Sequence, residues 1–271
     1  MEIKDFHAGK LEQQYRYRSF LPARIDQEWT LSDAKTLTLL EEASRLMGEL
    51  NTYSQIVPDV DFFIRMHLAK EATTSSRIEG TQANMQEVLA DERDIAPEKR
   101  DDWQEVHNYI EATNFAIAQL QNLPLSNRLL RQAHAIAMRG VRGKHKQPGE
   151  FRTQQNWIGV SLKHATFVPP HPQHVPDLMG DLEKFMHNDQ IHVPHLIRIG
   201  LVHYQFETIH PFNDGNGRIG RLLIVLYLVS FGLLAKPALY LSDFFERNKG
   251  EYYDQLTAVR GTHKMTQWLQ F

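Results

Sequence analysis

The chain of 271 residues carries 30 Lys and Arg against 33 Asp and Glu, a net charge of −3, and is 42% hydrophobic and 10% aromatic. That composition suits a globular chain with a sizeable core and excludes bulk disorder, and its slightly acidic balance gives no ground for nucleic acid or an anionic membrane as a general partner. The absence of cysteine removes disulfides, thiolate nucleophiles, iron–sulfur clusters and Cys-based zinc sites and fits a reducing, cytoplasmic location.

The N-terminus, Met1-Glu2-Ile3-Lys4-Asp5, lacks an apolar signal core. The longest apolar run, Leu222 to Val229, is far short of the roughly 20 residues of a membrane span, so a soluble protein without a membrane partner is expected. Leu31 to Leu50 has apolar residues at three- and four-residue steps, predicting an amphipathic helix with one buried face, capped by Ser32 or Thr30. Phe62 to Thr74 predicts a second helix, with Phe62, Phe63, Met66 and Ala69 on one side; it continues through Ser75 and Glu79 until Gly80 stops it. A mixed-charge link, Asp91 to Asp102, leads to a helix over Trp103 to Leu120, and Ser126 to Met138 gives another. Between Lys144 and His174, Gly and Pro punctuate short β-prone pieces, Phe151-Arg152-Thr153 and Trp157-Ile158-Gly159-Val160, which predict a small hairpin or flap. Helical period returns over Val175 to Met186, Leu196 to Thr208 and Asn216 to Phe231, the last apolar nearly all round, as a central helix requires. No repeat or low-complexity segment interrupts this order.

One stretch carries chemistry: His210-Pro211-Phe212-Asn213-Asp214-Gly215-Asn216-Gly217-Arg218-Ile219-Gly220-Arg221. Pro211 ends the preceding helix because it lacks an N–H and restrains its neighbour. Gly215 and Gly217 let the backbone approach a ligand, and the N–H groups of the next helix's first turn carry about +0.5 of an elementary charge, which makes an anion site. Arg218 and Arg221, at i and i+3, can reach one polyanion from one face. Asp214 is a hard oxygen ligand that would share Mg²⁺ with bound phosphates. An imidazole with an ordinary pKa near 6.5 at His210 is then a base beside an activated phosphorus. Gly215, Gly217 and Gly220 also spell G-x-G-x-x-G, but that fingerprint works only after a strand in a βαβ unit, and helical period precedes it here. No Walker sequence is present, since Gly143-Lys144 is followed by His145; the His-Glu-x-x-His and G-x-S-x-G motifs are missing, and the spacings of His187, His192, His195 and His203 match no zinc pattern.

Residues 210–221 match in full the pattern H-P-F-x-D/E-G-N-G-R-x-x-R, and on this basis the chain resembles the Fic (filamentation induced by cAMP) family. The Pro-Gly-Glu-Phe-Arg segment at 148–152 also resembles Fic proteins, and the likeness covers at least 120–260. It implies a mostly α-helical Fic-type fold with a small β-hairpin flap, divided into an N-terminal helical region (1–115), a catalytic core (116–235) and a C-terminal helical tail (236–271). It further implies a protein adenylyltransferase that moves AMP from ATP, with Mg²⁺, to a Ser, Thr or Tyr of a target protein. By position, His210 would be the general base, Phe212 a core anchor, Asp214 the Mg²⁺ ligand, Gly215, Asn216 and Gly217 the anion hole, and Arg218 and Arg221 the partners of the β- and γ-phosphates. Gly217 stands where relatives that transfer phosphate have Lys. Tyr252 and Tyr253 resemble a tyrosine pair near the adenine, with Arg260 where some of those relatives have Asn. The flap, Ile158, Gly159 and Val160 included, resembles the hairpin on which a target is laid as an added strand. Ser75-Ser76-Arg77-Ile78-Glu79-Gly80 resembles the S/T-x-x-x-E-G/N inhibitory helix of autoinhibited members, implying that Glu79 pairs with Arg221 and withholds it from a γ-phosphate. Relatives form homodimers, modify themselves, or use the same glutamate in AMP removal. Alternatives are a nucleotide-sensing module acting through a partner, and a Fic enzyme that removes AMP or transfers another group.

Each residue also has a plainer reading. Asp214 can be a simple N-cap, Glu79 and Ser75 ordinary residues of a helix end, Arg218 and Arg221 surface cations, and His210 a helix-end histidine. The basic run Arg139, Arg142, Lys144, His145, Lys146 reads as a solvated loop, since it is short and lacks the interleaved aromatics of a nucleic-acid site.

Overall fold

A computed structural model describes residues 1–140 and 146–271. The sequence readings placed on Arg142, Gly143, Lys144 and His145 lie outside the described residues. In order, the chain forms β1 (Gly9–Gln13), β2 (Arg18–Pro22), α1 (Ala34–Ile56), α2 (Val60–Ile78), α3 (Met85–Leu89), α4 (Arg100–Gln119), α5 (Asn127–Ala137), β3 (Ile158–Gly159), β4 (Ala165–Phe167), α6 (Val175–His187), α7 (His195–Ile209), α8 (Asn216–Ser230), α9 (Ser242–Arg247), α10 (Lys249–Thr262) and α11 (Met265–Gln270), with short 3-10 turns between some of them. The fold is mostly α, with two antiparallel two-stranded sheets, β1 with β2 and β3 with β4. No helix among the described residues is long and apolar enough to cross a membrane.

The chain forms two compact units. The first comprises Met1–Ala43, Phe151–Asn213 and Gly250–Phe271. Its centre is α7, buried along almost its whole length, against which α6 lays the face of Leu178, Met179, Leu182 and Phe185. Arg198 of α7 is buried, and its guanidinium donates to the carbonyls of Phe185 (3.1 Å), Met186 (3.3 Å) and Asn188 (3.0 Å) at the end of α6, satisfying acceptors that a helix C-terminus leaves open. The indole of Trp268 in α11 donates to Gly200 O at 2.8 Å. A Cβ at Gly200 would come within 2.9 Å of the Leu269 side chain, which would have to shift.

The second unit comprises Ser44–Glu150 and Asp214–Lys249. Here α8 is the central helix, buried from Arg218 through Leu228, with α2, α4 and α5 packed around it. Asp59 begins α2 by accepting from Phe62 N–H at 3.1 Å. The helix ends at Glu79, followed by Gly80 with φ +104°, a backbone state that glycine adopts without a Cβ penalty. Ser126 caps α5 through Leu129 N–H.

Several expectations need correction. Asp33, not Ser32 or Thr30, caps α1, its Oδ2 accepting from Thr36 N–H at 2.8 Å; a carboxylate accepts more strongly there than a hydroxyl. The apolar stripe of α1 is not a buried face, since Leu37 and Leu46 are exposed and Ile56 is 71% exposed. Phe62 is likewise exposed, and the buried part of α2 is its later half, Leu68 to Ile78. Phe151-Arg152-Thr153 is not a strand, because the Arg152 N–H donates to Pro211 O at 2.9 Å rather than to a ladder. The β1–β2 hairpin and the short α3, held by an Asn84/Glu87 capping box, were not anticipated.

Candidate functional site

In the first unit the last turn of α7 delivers His210. That residue takes the left-handed conformation (φ 51°, ψ 60°), its N–H donating to Phe206 O at 2.9 Å, and Pro211 then prevents the helix from continuing. Phe212 is fully buried between Phe151 and Phe206, with ring centroids 5.5 and 6.4 Å away. The turn is fastened by two side chains whose roles the sequence did not disclose. Arg152, 2% exposed, donates from Nε to His210 O (2.9 Å), from one Nη to Ile209 O (3.2 Å) and Pro170 O (2.6 Å). Asn156 Nδ2 donates to His210 O (3.2 Å) and Phe212 O (2.9 Å). Burial lowers the Arg152 guanidinium to about 10, so it stays charged at neutral pH, facing the negative end of α7. The only available signal was an arginine in a stretch, 151–176, that contains no Asp or Glu to pair with it.

The flap is short. Ile158 faces Phe167 and Gly159 faces Ala165 across an irregular antiparallel pair. Gly159 has φ +124°, and a Cβ there would lie 2.9 Å from His164 O, so the crossing needs glycine. Val160 is 93% exposed. Arg260 of α10 places its guanidinium 3.9 Å over the Phe167 ring and donates to Thr208 Oγ1 and Glu207 O, both at 3.1 Å, tying the flap to the turn before His210. Tyr252 is 2% exposed, its hydroxyl 3.0 Å from His203 Nε2 and its ring against Trp268, whereas Tyr253 is exposed.

The second unit contains the other part of the motif. Gly215 (φ +73°) precedes α8 without a side-chain cap, and its own N–H donates to Asp214 Oδ1 at 2.7 Å. The backbone angle of Gly215 favours glycine, and a Cβ there would meet Met138 Sδ at 2.6 Å, so that the methionine side chain would have to shift. His134, fully buried on α5, accepts from Gly149 N–H at Nδ1 (2.8 Å) and lies 3.0 Å from Asp214 O through Nε2. This pairing specifies the neutral tautomer with the proton on Nε2, and burial pushes its pKa down to about 4. No sequence motif marked this residue. Arg218 is buried, 3.5 Å from Glu105 Oε2 and 3.2 Å from Met138 Sδ.

Arg221, 2% exposed, is engaged by α2. Its Nε donates to Ser75 Oγ (2.9 Å), and one Nη donates to Ser75 O (3.0 Å) and Glu79 Oε1 (2.7 Å). A Cβ on Gly217 would collide with that same Glu79 oxygen, so the carboxylate stands directly over the first turn of α8. Ser75 and Glu79 share a face of α2 at i and i+4. The helix has further fastenings: the buried carboxylate of Glu71 accepts from Ser242 N–H at 3.1 Å, Lys249 Nζ donates to Ile78 O at 2.8 Å, and Arg77 lies 3.3 Å from Glu246.

Glu79, Glu105, Asp214 and Arg218 border a cavity of about 440 Å³. Asp214 is exposed to it, a single hard oxygen donor of the kind that holds Mg²⁺ together with phosphate oxygens and water. No group of three or more His, Asp or Glu among the described residues is placed to hold a metal by itself.

Two family profiles match the chain, Fic/DOC family N-terminal over residues 37–118 and Fic/DOC family over residues 124–228. The protein adenylyltransferase Fic of Aedes aegypti is 33% identical over 109 residues, 40% of this chain and 19% of that protein. A probable protein adenylyltransferase of Aquifex aeolicus is 41% identical over 70 residues, 26% of this chain and 22% of that protein. The matched stretches thus span about a fifth of the length of these curated relatives. The crystal structure of a Fic family protein from Desulfovibrio desulfuricans superposes with a TM-score of 0.73 at 24% identity, covering 90% of this chain and 72% of that one; it shares the fold. With its full signature, its two matched regions and this fold, the chain belongs to the Fic/DOC family.

Proposed function

We propose that the protein transfers AMP from ATP to a hydroxyl side chain of a target protein and that Glu79 restrains the reaction. The observation that carries the restraint is the 2.7 Å pair between Glu79 and the buried Arg221; the transfer rests on the complete signature from His210 to Arg221 and on relatives named protein adenylyltransferases.

In this reading the target hydroxyl oxygen attacks the α-phosphorus and His210 takes its proton. The bond from the α-phosphorus to the bridging oxygen of the β-phosphate breaks, and pyrophosphate leaves. The N–H groups of Gly215, Asn216 and Gly217, at the positive end of α8, meet the developing charge, while Arg218 and Arg221 orient the β- and γ-phosphates. Mg²⁺, held by Asp214, would neutralise phosphate charge. Arg152 and Asn156 hold the His210 turn, a positioning task. Of the tyrosine pair, the exposed Tyr253 would meet an adenine, and the buried Tyr252 supports it. While Glu79 pairs with Arg221 and stands over Gly217, the γ-phosphate lacks its guanidinium and meets a carboxylate instead, so ATP binds without the alignment for attack.

The test is label retention in a Glu79→Gly variant supplied with ATP labelled at either the α- or the γ-phosphorus. Retention of α-label but not γ-label on protein, abolished by Asp214→Ala, is expected. Retention of γ-label, or of neither, would exclude AMP transfer.

A further inference from the structure

We infer that the target segment laid on the flap is acidic, and that the β1–β2 hairpin is part of its docking surface. The inference deepens the transfer reading by naming its substrate class, and it rests on three features of the first unit.

The first is an open strand edge. β3 pairs with β4 and with no other strand among the described residues. The chain just beyond β4 is occupied on its other side: Phe20 N–H of β2 donates to Val168 O at 2.9 Å, and the Phe20 ring lies 6.0 Å from Phe167. The hairpin therefore backs the flap, and the edge left for another chain is Ile158–Gly159, flanked by the exposed Trp157 and Val160. Alternating N–H and C=O groups on such an edge are matched by an extended polypeptide, which it holds without reading sequence.

The second is a surface of one sign. Residues 151–176 contain no Asp or Glu. Arg152 is buried among carbonyls, so the flap's exposed cation is Lys163. The third is the hairpin's contribution. Tyr17 OH donates to Gln155 Oε1 at 3.2 Å, two residues before Trp157, so the turn of the hairpin lies against the stem of the flap. Tyr17 is flanked by Arg16 and Arg18, both exposed. Arg16 lies 5.2 Å over the Tyr15 ring and Arg18 donates to Gln13 Oε1 at 3.3 Å; neither they nor Lys163 form an ion pair among the described residues. The hairpin's own acid, Glu12, sits 3.1 Å from His174. In a chain of net charge −3, these cations give the flap and the hairpin turn that lies against its stem a local positive field, which favours carboxylates around the accepting hydroxyl.

The test reads binding to the full chain without ATP, so that its failure leaves the transfer reading standing, and failure of transfer leaves it untouched. Short fluorescent peptides, each with one Ser, one Thr and one Tyr flanked by Asp/Glu, by Asn/Gln or by Lys, are titrated by anisotropy at low and moderate salt. The acidic peptide is expected to bind about tenfold more tightly than the neutral one at low salt, the gap narrowing as salt rises. The preference should vanish in R16E/R18E/K163E at an unchanged melting temperature, and binding should fall when alternate peptide amides are N-methylated, which blocks strand addition. Equal affinities for acidic and neutral peptides, a preference that survives charge reversal, or tighter binding of a single-stranded oligonucleotide of matching charge would overturn the proposal.

Discussion

The first turn of α8 and the flap lie at opposite extremes of order. At the first, Arg218 and Arg221 are buried and already engaged by Glu105, Ser75 and Glu79, and Gly215 is hemmed in by Met138. At the second, strands of two and three residues carry a side chain, Val160, that is 93% exposed. Residues that in the proposed transfer would meet a fixed group, a triphosphate, are held by many partners, because misplacement there costs rate. A surface that must accept a variable chain offers backbone edge and charge, and little packing. Under the proposed reading, the chemistry is held by a densely bonded turn, and partner choice falls to a lightly packed element.

The comparison can be broken at several points. The largest effect should come from His210→Ala, which removes the proposed base and is expected to lower AMP transfer by about 10²–10⁴-fold with ATP affinity nearly unchanged; a fall in affinity with the rate per bound complex preserved would assign His210 to binding instead. Arg152→Met should destabilise the fold by about 3 kcal/mol, since the carbonyls of Ile209, His210 and Pro170 lose donors within a buried site; thermal unfolding checks this, and a loss under about 0.5 kcal/mol would show that the turn holds without it. His134 predicts a pH dependence. Its folded pKa of about 4 lies below the ordinary 6.5, so between these values the unfolded chain binds more protons, and stability falls as pH drops through this window by up to about 3 kcal/mol. Denaturant melts at pH 7 and pH 4.5 on the wild type and His134→Gln measure it; an identical pH slope in both would remove His134 as the source. Ser75→Ala deletes one hydrogen bond to Arg221 and should cost about 1 kcal/mol while raising basal transfer a few-fold, whereas reduced transfer would mean that Ser75 supports the active arrangement. Val160→Thr, on the flap, should change stability by less than about 0.5 kcal/mol, and a larger loss would show that the flap is not the lightly packed element described.

Much of this was legible in the sequence where cause and effect are close along the chain. Gly80 marked the end of α2, Pro211 the end of α7, and the all-round apolar content of Leu222 to Val229 marked a central helix. Segment 210–221 was legible because its chemistry is contiguous. What stayed hidden was set by partners far away. Arg152, Asn156 and His134 hold backbone carbonyls or N–H groups, which every residue has and no sequence displays. The apolar stripe of α1 had helical period without burial, since periodicity specifies a face and not what covers it. The β1–β2 hairpin escaped notice because Gly9 to Pro22 mixes charges and aromatics without clean alternation, and its inner residue Phe20 is matched by Phe167, more than a hundred residues later.

The central claim is that Glu79 holds Arg221 away from the nucleotide. It is tested most directly by comparing transfer of α-labelled AMP in the wild type, in Glu79→Gly, and in Glu79→Gly combined with His210→Ala. The account predicts low label in the first, about 10–100-fold more in the second and none above background in the third. Equal label in the first two, at equal ATP occupancy, would contradict it.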